Sequence, residues 1–224
     1  MAEPRSDRTR VRREPARGAY DRATIDAILD EGIVCHLGFV HDGQPYVIPT
    51  LYGRVRDELY VHGSSASRML RTLKDGVAAC VTVTLVDGIV LARSIFNHSI
   101  NYRSVVVLGR AVAVDDVDEK VSALEAFSAR LLPGRWSQAR PPTATELKAT
   151  SILRLPLDEA SAKVRIGPPK DDEADHDWPV WAGVIPLSLT AGPPQPDPAL
   201  EPGFEPPAWS PAHRAAQPPG QNGQ

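Results

Sequence analysis

Two β-prone runs around an Asp-Gly pair restrict the fold of this chain more than any other feature. Ile33-Val34-Cys35-His36-Leu37-Gly38-Phe39-Val40 leads into His41-Asp42-Gly43-Gln44, and Pro45-Tyr46-Val47-Ile48-Pro49-Thr50-Leu51-Tyr52 follows. Asp-Gly tolerates the positive φ that a tight reversal requires, so the spacing predicts an antiparallel hairpin. The same grammar continues downstream. Arg56-Asp57-Glu58 makes a turn into a third strand over 59–62, and residues 77–86, rich in Val and Thr, read as a long strand. Asp87-Gly88 reads as a turn into a run over 89–96. Residues 103–114 form another long strand whose central Gly109 predicts a bulge or bend, and runs over 151–157 and 162–166 complete the set. The expected fold is mainly β with peripheral α: a six- to seven-stranded antiparallel barrel.

The helices are few. Asp21 can cap a short helix over 21–31 with Ile25, Ile28 and Leu29 on its apolar face and Gly32 at its end. Asp116 and Glu119 resemble a capping pair ahead of Val117, Val121, Leu124, Phe127 and Leu131, whose spacing is helical. Thr143 and Glu146 start another short helix.

Chemistry concentrates in Leu59-Tyr60-Val61-His62-Gly63-Ser64-Ser65-Ala66-Ser67-Arg68-Met69-Leu70. A strand runs into a glycine, hydroxyls and an arginine, then turns helical with Met69, Leu70 and Leu73 on one face and Gly76 as the stop. Free backbone N–H groups, hydroxyls and a guanidinium aimed at one point suit a phosphate. The ordinary alternative is that Ser64, Ser65 or Ser67 only caps the helix. The spacing is not that of a Walker A loop.

Composition bounds the rest. Of the 224 residues, 1–19 hold six arginines with no apolar period, and ten of the 22 prolines lie from Gly192 onward. Neither end has a packing pattern, so residues 1–19 and 191–224 are expected to be disordered and 20–190 to form one domain. A net charge of −3 argues against a nucleic-acid partner. No run of 18 apolar residues spans a membrane and no secretory h-region is present, so the expected location is cytoplasmic. Cys35 and Cys80 lack Cys or His partners at metal spacing and read as buried free thiols. His36 reads as a core histidine and His41 as solvated; Asn97-His98-Ser99 could line a ligand mouth but is more simply a solvated loop. The acidic run Asp171-Asp172-Glu173 lacks EF-hand spacing, no metal site is expected, and neither a Gly-x-Ser-x-Gly elbow nor a His-Glu-x-x-His motif is present. Trp178 and Trp181 read first as anchors for the C-terminal segment and second as walls of a substrate pocket.

The order of these pieces resembles the FMN-binding split-barrel superfamily, within it the pyridoxamine-5′-phosphate-oxidase-like and nitroimidazole-resistance flavoproteins. The likeness rests on Ile48-Pro49-Thr50, on Tyr60-Val61-His62-Gly63 with Arg68, on Asn101-Tyr102-Arg103-Ser104-Val105-Val106-Val107-Leu108-Gly109-Arg110, and on Leu147-Lys148-Ala149-Thr150-Ser151. It covers about residues 20–170. It implies FMN at a homodimer interface, with Pro49 and Thr50 at the ring and Ser64, Ser67 and Arg68 at the phosphate. It further implies His62 beside the cofactor, as binding residue and candidate proton donor, and Tyr102 and Arg103 as a second phosphate-side contact. The implied activity is an FMN-dependent oxidoreductase carrying hydride from NAD(P)H to a small aromatic or nitro-type acceptor; the alternative is a non-catalytic carrier or sensor of flavin, haem or F420. The arginine- and tryptophan-containing end of true pyridoxamine-phosphate oxidases is replaced here by His176-Asp177-Trp178-Pro179-Val180-Trp181, which speaks against vitamin B6 oxidation.

Overall fold

A computed structural model describes residue 3 and residues 6–207. Seven strands of seven residues or more dominate it: β2 (Val34–His41), β3 (Gln44–Val55), β4 (Glu58–Ser64), β5 (Ala78–Leu91), β6 (Ser99–Arg110), β8 (Thr150–Pro156) and β9 (Glu159–Arg165). Short strands β1 (Gly18–Ala19), β7 (Val112–Ala113) and β10 (Gly183–Pro186) border them. All pairings are antiparallel, in the order β1-β9-β6-β5-β2-β3-β4-β8-β7, with β10 on the distal half of β5. The consecutive strands β8 and β9 pair with β4 and β6 rather than with each other, so the barrel stays split. The predicted Asp42-Gly43 hairpin is present, with both residues at positive φ.

Alternation fixes what faces inward. Leu37, Phe39, Tyr52, Leu59, Val61, Val81, Val83, Val105, Val107, Leu153 and Leu155 fill the barrel. Helix α1 (Arg22–Glu31), capped by Asp21, lays Ile25, Ile28 and Leu29 over one end. Its terminus comes so close to the sheet that a Cβ on Gly32 would stand 2.5 Å from Val83 and 2.7 Å from the Tyr52 hydroxyl. That hydroxyl donates to the carbonyls of Leu29 and Gly32. Helix α2 (Arg68–Lys74) covers the other end with Met69, Leu70 and Leu73. Helix α3 (Val117–Leu131), capped by Asp116, packs outside the barrel on β3, β4 and β8, where Phe127 and Ala123 meet Tyr60 and Ile152. Short helices α4 (Arg135–Gln138) and α5 (Ala144–Ala149) follow, the latter opened by the full Thr143/Glu146 capping box.

Four expectations are corrected. Asp87-Gly88 is not a turn: β5 runs straight through it, and Asp87 is the extra residue of a β-bulge opposite β6. The bulge is stable because Arg103 donates to both Asp87 carboxylate oxygens, at 2.9 and 2.7 Å. Gly109 is not a bulge: a Cβ there would stand 2.9 Å from Leu155, so the residue permits close approach of the two wings of the sheet. The N-terminal segment is not free of the fold. Gly18–Ala19 pair with β9, Thr9 is buried, Val11 N donates to the Tyr20 hydroxyl at 2.8 Å, and Arg8 Nε donates to Glu159 at 2.9 Å. Backbone pairing and charge hold it, which an apolar-pattern reading does not register. Trp178 and Trp181 are both exposed; the C-terminal segment is held by the β10–β5 ladder and by Leu187 N donating to the Asp87 carbonyl at 3.0 Å. Residues 191–207 contain neither helix nor strand, and the remainder of the proline-rich tail lies outside the described residues.

Candidate functional site

The strand–turn–helix at 59–74 forms as the sequence suggests, but its hydroxyls cap weakly. Ser64 Oγ accepts from Ala66 N at 3.2 Å, and Ser67 occupies the N-cap position without a side-chain cap bond. Gly63 faces α2, where a Cβ would stand 3.2 Å from Leu70.

Helix α2 then presents Arg68, Arg71 and Lys74 to a cleft of about 870 Å³ between itself and the β2–β3 hairpin tip. Arg68 lies with its guanidinium carbon 5.0 Å from the centroid of the Tyr46 ring, and its Nη1 donates to the Tyr46 hydroxyl at 3.3 Å. Arg71 donates to the Ala66 carbonyl at 2.8 Å. None of the three cations has a carboxylate partner among the described residues, although Asp42 and Asp75 also line the cleft. The buried Thr72 hydroxyl is 3.0 Å from His41 Nδ1, which fixes that ring at the cleft wall. Three cations with free donors suit a dianionic phosphate. Arg71 and Lys74 are not among the residues the sequence reading names, and His41, read there as solvated, is instead held by Thr72. The signal was available, since Arg68, Arg71 and Lys74 recur every third residue along one side of a helix.

The remaining candidates divide. Tyr46, Ile48 and Thr50 alternate on the same face of β3, so Thr50 shares a face with the Arg68-bound ring, whereas Pro49 points outward opposite His36. His62 does not line the Arg68 cleft. Its ring packs on Phe127 of α3 with centroids 4.2 Å apart, its Nδ1 is buried without a hydrogen-bond partner, and burial pushes its pKa below the usual imidazole value.

Tyr102 and Arg103 lie toward the far end of the sheet, about 25 Å along β6 from its α2 end by strand rise. Tyr102 pairs with Val86 and Arg165. Arg103 sits on the opposite face of β6 and donates to Asp87 and Glu31, which raise its pKa further through hydrogen bonds and charge. As placed here, Arg103 joins α1 to the β5 bulge, with four of its five N–H groups on carboxylates. Among the described residues no cluster of His, Cys, Asp and Glu could hold a metal ion, and no helix is long and apolar enough to cross a membrane. Cys35 is buried and pushed up to about 12 by desolvation, whereas Cys80 is only half-buried, on the outer face of β5.

Comparison with known proteins places this geometry. Residues 21–164 match the family described as Pyridoxamine 5′-phosphate oxidase. The flavocytochrome Anf3 from Azotobacter vinelandii is 45% identical, with a TM-score of 0.86 over 92% of this chain and 96% of that one. The FAD and heme binding protein from Mycobacterium smegmatis is 38% identical, with a TM-score of 0.82 over 85% and 94% of the respective chains. A Bacteroides thetaiotaomicron protein assigned to 5-nitroimidazole antibiotic resistance shares the fold at 22% identity and a TM-score of 0.54, covering 66% and 86%. No curated protein matches the chain.

Proposed function

The chain belongs to the pyridoxamine 5′-phosphate oxidase family, and on that premise we propose that it is a flavin-binding redox protein that works as a homodimer and also takes haem. The observation that carries this reading is the 45% identity to a flavocytochrome along nearly the whole of both chains. A flavin held by this chain would supply two-electron chemistry between NAD(P)H and a small aromatic or nitro-type acceptor.

The chain's own residues fit the phosphate end that FMN and FAD share. Arg68, Arg71 and Lys74 offer unpaired donors, with Ser64 and Ser67 at the helix entry and Thr50 on the face of β3 that Tyr46 shares. His62 keeps an orphaned Nδ1 and a neutral ring, suited to accept or relay a hydrogen bond rather than to hold charge.

The outer sheet face supports the dimer. Val47 (68% exposed), Val86 (45%), Ile89, Ile100 and Ile185 stand on the side away from the barrel core, where a solvated antiparallel sheet would alternate to polar residues. A second copy covers this face.

The visible spectrum of purified protein tests the reading: flavin bands together with a Soret band are expected, and bleaching of the flavin by NAD(P)H without air. Mass analysis of the released cofactor separates FMN from FAD. A colourless protein that takes up neither flavin nor haem overturns the reading. A flavin band with no Soret band leaves the oxidoreductase and removes haem.

A further inference from the structure

The far end of the sheet holds a second cavity, which the flavin reading does not use. Its volume is about 590 Å³, and it lies between the N-terminal segment, the start of β6 and the end of β9. Five cations line it (Arg13, Arg17, Lys163, Arg165 and Lys170) against one carboxylate, Glu14. Glu14 reaches only Arg17, at 3.5 Å. Among the described residues Arg13, Lys163, Arg165 and Lys170 have no carboxylate partner, in a chain whose overall charge is −3. A basic concavity on an acidic protein is not explained by composition.

Arg165 is the most telling member. It is only 7% exposed, and its guanidinium donates to a neutral group, the Asn101 amide oxygen. Burial and the nearby Arg17 both lower its pKa, so the cavity disfavours the charge it contains. A buried guanidinium without a counter-charge is costly unless an anion completes the site. The rim adds a different element. Phe96, 92% exposed on a short 3-10 turn, lines the basic cavity, as does Tyr102.

We propose that this cavity binds a ligand carrying two or more anionic groups on a flat aromatic body, with Arg165, Lys163, Lys170 and Arg17 taking the anions and Phe96 covering the aromatic part. Resting on the redox reading above, two sources share that chemistry: the phosphates of a nicotinamide dinucleotide and the carboxylates of haem. The site is separate from the Arg68 cleft, since the two share no residue.

The test titrates the full-length protein, with its flavin left in place, with inorganic pyrophosphate, NADPH and haemin, and compares Lys163→Gln/Lys170→Gln and Phe96→Ala. The double variant loses two charge-assisted contacts and is expected to bind its ligand about tenfold more weakly, with a smaller salt dependence than the parent. Phe96→Ala weakens the aromatic ligand and leaves pyrophosphate unchanged. The ligand whose affinity the double variant lowers identifies the source. Unchanged affinity for all three probes, or no binding of any of them to the parent, overturns the proposal. Loss of flavin from the double variant also overturns it, by assigning the cavity to the flavin itself. A protein that never contains flavin defeats the redox reading alone, because the pyrophosphate titration still reports on the cavity.

Discussion

At the scale of single residues, Arg68 and His62 part company although six positions separate them. Arg68 rests on an aromatic ring with donors to spare, so Arg68→Ala is expected to weaken flavin binding about thirtyfold, the loss of roughly 2 kcal/mol from a charge-assisted contact. Titration of the apoprotein checks it, and Arg71 and Lys74 set how far the loss is cushioned. His62 is held neutral by burial against Phe127. Below the ordinary imidazole value of about 6.5, the unfolded chain takes up a proton that the folded ring refuses. Stability therefore falls on acidification from there to the lowered folded value, and the penalty is constant beyond it. In urea unfolding, His62→Leu should flatten the loss between pH 7 and pH 5 relative to the parent; an identical slope would mean that His62 is protonated in the fold. The sequence made His62 and Arg68 legible as a pair because they sit at one strand–helix junction. It could not show that they leave that junction in different directions, since strand alternation sends Gly63 toward α2 and His62 toward α3.

At the scale of elements, the long strand β5 shows where pattern reading stops. Asp87-Gly88 carries the dipeptide of a hairpin turn, yet the strand continues because Arg103, from the neighbouring strand, anchors the bulged Asp87 while also binding Glu31 at the end of α1. A partner sixteen positions away decides the outcome, and local propensity carries no record of it. Arg103→Met should cost about 2 kcal/mol, because two half-buried carboxylates are left facing each other. The flavin affinity of the folded variant should hold. Thermal unfolding and cofactor titration read the two effects separately, and a fall in affinity with intact stability would return Arg103 to the phosphate.

At the scale of the whole molecule, strand alternation made the barrel readable, since period-two burial is written directly in Leu37, Phe39, Val81, Val83, Val105 and Val107. The contribution of the N-terminal segment was not, because its attachment is by ladder and ion pair. Deleting residues 1–19 should lower the melting temperature by roughly 4–8 °C, equivalent to about 2 kcal/mol for a chain of this size, with the removal of β1, Thr9 and Arg8 as the cause. An unchanged transition would mean that this segment contributes nothing to the barrel. The open sheet face makes a matching prediction for assembly. Val86→Glu, in the middle of that face, should shift the protein toward monomer in sedimentation at micromolar concentration.

The pairing of Arg8 with Glu159, 151 positions apart, has a consequence for the order of events at the ribosome. The segment around Arg8 and β1 is made long before β9 and waits for that strand before it finds its place, and β6 likewise gains β9 only then. Contacts of such long sequence separation close slowly. Until residue 165 has emerged, the nascent chain exposes unpaired strand edges, which are most prone to association with other chains. A stall placed shortly before β9 should therefore yield a chain held by chaperones, whereas one placed well beyond it should release a protease-resistant barrel.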